Sequence, residues 1–309
     1  MEQNIMIEVN HIKTLSEHKA AVYALCEGAE SHLFFSGGSD QYVIQWNLET
    51  MEAEKVVSKS PTTIVSLCYL KQYNYLLIGQ IEGGVHVIDL TENKEVKYLK
   101  IHKGYIFDIQ FIESKNEIVF SSGDGSISIW SVPDFKLLFQ TQIGKSKNRR
   151  MAYSENRKEL AVASGNGLVQ LLNVEDWSKK KTLQCSEGAV YSVCYTSNSQ
   201  ELLIGDKDAH LHVFDLTTNQ LTKSIPAHNW AIYDIAIAPN STLFATGSRD
   251  KTVKVWEVSE PKVLKRLEGF KDKAHTHSVN GLLWTNYQAY LLSAGDDKTI
   301  KVWSIKEGK

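Results

Sequence analysis

The sequence predicts an all-β repeat protein, on three observations. The phrase ATGSRDKTVKVWEV (245–258) reads as two short apolar runs joined by a polar turn. In its second run Val253 and Val255 share one face while Thr252, Lys254 and Trp256 share the other, which is the period of a strand. An Asp in the turn suits a hairpin, because its carboxylate can bond the backbone two residues on. The phrase then returns as SAGDDKTIKVWSI (293–305) and SGGSDQYVIQWNL (36–48). Finally, no segment sustains the period of an amphipathic helix, so no helix of consequence is expected.

The recurrence is regular along the whole chain. Asp40, Glu82, Asp124, Asn166, Asp208 and Asp250 stand 42 residues apart, and Asp297 follows after a step of 47. Six residues beyond each marker come Trp46, Ile88, Trp130, Leu172, Phe214, Trp256 and Trp303. Before each marker, at a distance of 22, come His18, Ser60, His102, Gly144, Ser186, His228 and His275. Seven copies at this period define a repeat architecture in which each unit buries its apolar face against its neighbours.

These residues carry a resemblance: the chain is similar to WD-repeat β-propellers over essentially its full length. The sixth repeat has His228, Thr246, Asp250 and Trp256-Glu257 at the family's spacing. Three features depart from the pattern. Most of the Trp-Asp dipeptides are altered (Trp46-Asn47, Trp130-Ser131, Trp303-Ser304), and the glycine that usually precedes the histidine is absent. Repeats 2, 4 and 5 lack both the His and the Trp. The resemblance implies a seven-bladed β-propeller of four-stranded antiparallel blades. Each repeat supplies the outer strand of one blade and the first three strands of the next. The segment Ile5–Leu15 is then left to complete the last blade, beside Lys301–Ser304, and to close the ring. A single propeller domain over residues 1–309 is expected, with no linker or tail. The longer last step places extra residues around Glu268–Lys273, a surface loop in which Phe270 is a candidate anchor for a partner.

Composition narrows the function classes. The chain is 42% apolar, enough for a sizeable core, and its net charge of −2 offers no global attraction to nucleic acid or anionic membrane. No apolar run approaches the length of a membrane span, and Met1–Leu15 lacks the pattern of a signal peptide. Four cysteines in 309 residues do not make a disulfide framework, so a reducing, cytoplasmic setting is expected.

His228, Thr246 and Asp250 are the residue types of a nucleophilic triad, but so are His18, Ser36 and Asp40, and His275, Ser293 and Asp297. A catalytic set would occur once, beside a cleft. The family resemblance instead implies a structural relay from Asp to His to hydroxyl to the indole N–H of Trp46, Trp256 or Trp303. A partial set stands in repeat 3 (His102, Asp124, Trp130). Repeats 2 and 4 have lost the members together, as expected if a half-satisfied buried network costs more than an apolar one.

The other reactive side chains dissolve into the repeat. Cys26, Cys68 and Cys194 occupy one equivalent first-strand position in different repeats. His210 with His212, and His275 with His277, lack a carboxylate or thiol to complete a metal site, and exposed or capping roles are expected for them. The Gly-rich phrases carry no phosphate-binding fingerprint. No catalytic residue, metal or cofactor is therefore expected.

Binding residues are expected on the narrow face, around the central channel, where the resemblance places partner contacts. The positions three and five after the His, and the one before the turn Asp, include Tyr23, Tyr105, Phe107, Lys147, Arg149, Tyr191, Lys207, Tyr233 and Arg249, with Trp230 adjacent. Aromatics and arginine are the types enriched in interface hot spots. The run KSKNRR (145–150) replaces the apolar pattern of the other first strands at this point. The function expected is a non-catalytic scaffold for a peptide or protein, acidic or phosphorylated, the propeller being monomeric by itself and part of a larger complex. The alternatives are nucleic-acid binding through the basic run and a hydrolase working in the central funnel.

Overall fold

The computed structural model describes residues 6–239 and 242–308. They form seven four-stranded sheets, every pair of neighbouring strands antiparallel. In blade 6 the order is Ile232–Ile237, Leu243–Ser248, Val253–Glu257, Val263–Leu267, in line with the hairpins read from the sequence. The first strands of the blades are Val22–Glu27, Ile64–Leu70, Ile106–Ile112, Asn148–Ser154, Val190–Tyr195, Ile232–Ile237 and Val279–Trp284. Each contacts the first strand on either side of it, and the last returns to the first, so they ring a central channel. Blade 7 is closed by Ile7–Leu15, which pairs with Ile300–Glu307 from Ile7↔Glu307 to Leu15↔Ile300. The strand was expected from Ile5, which lies outside the described residues, and Met6 is not part of it. Joining the two ends of the chain in one sheet leaves no open end to the ring.

The core lies between blades. Trp46, Phe34 and Ile44 of blade 1 pack with Leu292, Ala294, Ile300 and Val302 of blade 7, all buried. Trp256 and Phe244 of blade 6 pack likewise with Leu203, Leu211 and Val213 of blade 5. Both faces of each sheet are thus covered, which is why the middle strands read as nearly continuous apolar runs.

Two backbone features recur in every blade. The residue after each marker has a left-handed conformation: Gln41, Gly83, Gly125, Gly167, Ala209, Lys251 and Lys298. Glycine at 83, 125 and 167 meets that demand without strain. The second feature is a bulge in the first strand, where register shifts between Val22 and Ala24, Ile64 and Ser66, Ile106 and Asp108, Val190 and Ser192, Ile232 and Asp234, and Val279 and Gly281. In blade 4 the irregular stretch is wider, from Asn148 to Met151.

The Asp, His, hydroxyl and Trp residues form buried chains in four blades. In blade 6, His228 Nδ1 donates to Asp250 Oδ2 at 3.0 Å, Thr246 Oγ1 meets His228 Nε2 at 2.7 Å, and Trp256 Nε1 donates to Thr246 Oγ1 at 2.8 Å. Blade 1 repeats this with His18, Asp40, Ser36 and Trp46, and blade 7 with His275, Asp297, Ser293 and Trp303. Because the carboxylate only accepts, a neutral His with its proton on Nδ1 satisfies the whole chain. The carboxylate also accepts the amide of the residue after the His (Lys19, Asn229, Thr276), tying the entry loop to the turn.

The partial set of repeat 3 is complete in the fold. The residue equivalent to Ser36 and Thr246 is Phe120, and the hydroxyl comes from the third strand: Ser128 Oγ meets His102 Nε2 at 2.7 Å and accepts from Trp130 Nε1 at 2.9 Å. The blades without the chain are not simply apolar either. In blade 5 the buried Asp206 accepts from Ser186 Oγ at 2.7 Å, contacts His212 Nε2 at 3.0 Å, and accepts the amides of Asp208 and His210. His212 is therefore a buried partner of a carboxylate, not the exposed or capping residue expected; its ring stacks on His210 at 5.9 Å. In blade 2, Gln80 donates to Ser60, and in blade 4 Gln170 donates to the Ile143 carbonyl.

Candidate binding site at the channel mouth

The seven first-strand bulges determine what faces the channel. A bulge leaves one residue out of the ladder and re-aims its side chain. The residues set out in this way are Tyr23, Val65, Phe107, Arg149, Tyr191, Tyr233 and Asn280, with Arg150 beside Arg149 in the wider bulge. All of them line a single cavity of about 460 Å³, to which every blade contributes. Ser39, Thr63, Ile81, Tyr105 and Asp296 complete its lining.

Six of the ten expected partner-binding residues meet in this cavity: Tyr23, Tyr105, Phe107, Arg149, Tyr191 and Tyr233. Tyr105 and Phe107 stack at 5.0 Å, and Tyr191 and Tyr233 lie 5.7 Å apart. The Arg149 guanidinium sits between the two pairs, 4.9 Å from the Phe107 ring and 3.9 Å from that of Tyr191. Both are cation–π distances. No carboxylate among the described residues forms an ion pair with Arg149, and its Nε makes no hydrogen bond. Burial lowers its pKa, against the favourable influence of Tyr191 and Tyr233, so it is a cation whose hydration is reduced and whose charge is unanswered.

The other four lie outside that cavity. Lys147 is exposed, its ammonium 5.7 Å from the Tyr105 ring and therefore close to the rim. Arg249 stacks on Trp230 at 4.9 Å, and Trp230 is 56% exposed; the Arg249 charge acts on Tyr233, so this pair adjoins the cavity on its blade 6 side without lining it. Lys207 is exposed on its turn. The Phe270 loop is a different place again: Phe270 is 96% exposed, on a loop held by the Glu268 amide and Lys265, both bound to Asp272.

Sequence reasoning chose Arg149 by its repeat position and gave Arg150 no role of its own; the fold supplies one. Arg150 Nη2 reaches Asp234 Oδ2 at 3.1 Å and Arg150 Nη1 lies 3.8 Å from Asp108 Oδ1. Asp234 also accepts the amide of Leu282 and Asp108 that of Met151, which binds the first strand of blade 6 to that of blade 7 and the first strand of blade 3 to that of blade 4. Arg150 lines both the mouth cavity and a second cavity of about 310 Å³ below it, so the Arg150–Asp108–Asp234 cluster forms the floor of the mouth. Burial lowers the Arg150 pKa, and the two carboxylates reverse that and raise it. A signal for this existed: at the repeat position of Arg150 stand Ala24, Ser66, Asp108, Ser192, Asp234 and Gly281, where two acids mark an inward ion pair.

Nothing in the cavity has the make-up of a metal centre: among the described residues no group of three or more His, Cys, Asp or Glu could hold an ion. Burial pushes the Cys68 and Cys194 thiols up to about 12, well away from nucleophilic thiolates. Among the described residues no helix is long and apolar enough to cross a membrane.

Comparison with known proteins agrees with this geometry. The family model described as "WD domain, G-beta repeat" matches residues 9–47, 93–131, 177–215, 219–257 and 265–304, more than half of the chain. The unmatched stretches hold most of blades 2 and 4, two of the three blades without the His and Trp. A WD repeat-containing protein 91 homolog from Dictyostelium discoideum is 25% identical over 83 residues, which is 27% of this chain and 11% of that protein. With seven antiparallel blades, the hydrogen-bonded His–hydroxyl–Trp chains and five matched repeats, the chain belongs to the WD40 repeat family.

Proposed function

We propose that this protein is a non-catalytic interaction platform whose channel mouth holds an extended peptide or protein loop carrying an acidic or phosphorylated side chain. WD40 propellers generally serve as protein-interaction scaffolds, and the observation that carries the finer reading here is Arg149. It is held between Phe107 and Tyr191 with no counter-ion among the described residues, in the lining of a cavity to which all seven blades contribute. A charge-assisted hydrogen bond from a preorganised, partly desolvated guanidinium is strong and geometrically selective. The flanking rings supply apolar contact, and the rigid blades lower the ordering cost of binding. Lys147 near the rim adds attraction for an anion approaching the mouth.

The test is an array of phosphorylated, acidic and neutral peptides probed with the wild type and with Arg149→Gln. The expected outcome is capture of acidic or phosphorylated peptides by the wild type and their loss from a variant with an unchanged melting curve. Equal capture by both would remove the mouth as the binding site. Capture of single-stranded RNA instead, with a steep dependence on salt, would establish the nucleic-acid reading.

A further inference from the structure

Beyond Arg149, the mouth contains one more uncompensated charge. Asp296 lies on the blade 7 side of the cavity, across the ring from blade 4. Its carboxylate accepts from Asn280 Nδ2 at 2.7 Å, and the same amide group donates to the Val22 carbonyl at 3.1 Å. Asn280 therefore fixes Asp296 to the seam between blades 7 and 1. No Lys, Arg or His among the described residues forms an ion pair with it. The acids of the floor, Asp108 and Asp234, are by contrast engaged by Arg150 and by backbone amides.

A buried or half-buried charge without a partner costs stability, and a fold has no need of two opposite ones facing a common space. If their purpose were mutual neutralisation, they would be paired. Held apart by separate anchors, rings on one side and Asn280 on the other, they make the cavity dipolar. A ligand that is only anionic would answer Arg149 and be repelled at Asp296. One with an anionic and a cationic group a few residues apart would answer both.

We propose that the mouth recognises a mixed-charge peptide segment: a carboxylate or phosphate side chain received by Arg149, and a lysine or arginine close in sequence received by Asp296. This rests on the reading of Arg149 as the anion-binding group. Asp296 then acts as a specificity residue, selecting among acidic peptides by the charge that accompanies the acid.

The test uses fluorescence anisotropy with short labelled glycine–serine peptides. One set has a glutamate followed by a lysine two, three or four residues on; matched sets replace the lysine with glutamine or with glutamate. For wild type we expect the best glutamate–lysine peptide to bind about tenfold tighter than its glutamate–glutamine counterpart. In Asp296→Asn, which keeps an oxygen for Asn280, the two should bind equally, at the level of the weaker one. In Asp296→Lys the glutamate–glutamate peptides should become the tightest. Equal binding of lysine and glutamine peptides by wild type, or a lysine preference that survives Asp296→Asn, would overturn the proposal. It would leave the Arg149 reading intact as long as Arg149→Gln still lost the glutamate peptides. Failure of every glutamate peptide, and of matched phosphoserine peptides, to bind wild type would overturn both.

Discussion

The blade bodies and the channel mouth use the same residue types in opposite ways. Inside the blades each carboxylate has its answer: Asp250 has His228, Thr252 and the Asn229 amide, and Asp206 has Ser186 and His212. Even the channel floor is closed, with Arg150 set on Asp234 and Asp108. A few residues away Arg149 and Asp296 have no counter-ion among the described residues. The contrast separates polar groups that hold the fold from polar groups left for a partner, since buried polar atoms are satisfied unless something else requires them open.

The contrast breaks most visibly if blade networks prove dispensable. Trp256 is 1% exposed, packs with blade 5 and donates to Thr246. Trp256→Ala should cost about 3–5 kcal/mol in a urea titration, the range for deleting a buried aromatic. A loss below about 1 kcal/mol would mean that the interblade core is looser than its burial indicates.

A sharper comparison sets a family-type network against a substituted one. Asp250→Ala leaves His228 Nδ1 with Thr252 Oγ1 alone and strands the Asn229 and Thr252 amides, and Asp206→Ala strands Ser186, His212 and two amides. Both should lose about 1–3 kcal/mol, the cost of leaving buried groups unpaired, with peptide binding unchanged. If only Asp250→Ala is destabilising, the blade 5 network is incidental.

These networks also show where sequence reading stops. The seven blades, their closure by the N-terminal strand and the chains of blades 1, 6 and 7 were legible, because one period fixes equivalent positions and equivalent positions meet. The hydroxyl of Ser128 was not, because it enters from the third strand at a different offset, yet reaches the same point in space. Nor was the Asp206–Ser186–His212 cluster, of which only Ser186 stands at a position of the pattern, that of the His. At the mouth the candidate positions could be named, but not their state of charge compensation. Arg149 and Arg150 are neighbours in sequence and differ in repeat position; the wider bulge of blade 4 and the carboxylates of blades 3 and 6 give that difference its meaning in charge.

Acid should act on the blade bodies in two stages. Burial lowers the pKa of His18, His102 and His228 below the usual 6.5, more than Asp40, Asp124 and Asp250 raise it. The unfolded chain therefore binds these protons first, so their contribution is full above pH 6.5 and declines as pH falls below it. The carboxylates come next. Burial would raise Asp250 and Asp297, but His228 and His275 with the surrounding donors outweigh it and hold both well below the ordinary range. Asp124 likewise falls to about 2, burial being outweighed by Ser126, the Lys103 amide and His102. Their contribution is present above the ordinary carboxylate pKa and lost as pH falls toward these depressed values. The urea midpoint should hold steady above pH 7, drop first between about pH 6.5 and 5, and drop again below about pH 4. His228→Gln should shrink the first drop, and a midpoint unchanged from pH 7 to 5 would contradict the neutral-histidine assignment.

The smallest expected effect on stability belongs to Arg149→Gln, and that is what makes it informative. The side chain has no ion pair to lose, and its Nε forms no hydrogen bond. What it gives up is contact with Phe107 and Tyr191, against relief from partial desolvation of a charge. These oppose one another, so stability should change by no more than about 0.5 kcal/mol. Binding of an acidic peptide should meanwhile fall at least about tenfold, because the Arg149 guanidinium is the cation held between the two aromatic pairs. The same substitution at Arg150 would strand Asp108 and Asp234 without their cation and should act through stability instead. Two adjacent arginines, one silent in the melting curve and the other silent in no assay, would confirm the division between mouth and body; if Arg149→Gln unfolded the protein while Arg150→Gln did not, the division would be reversed.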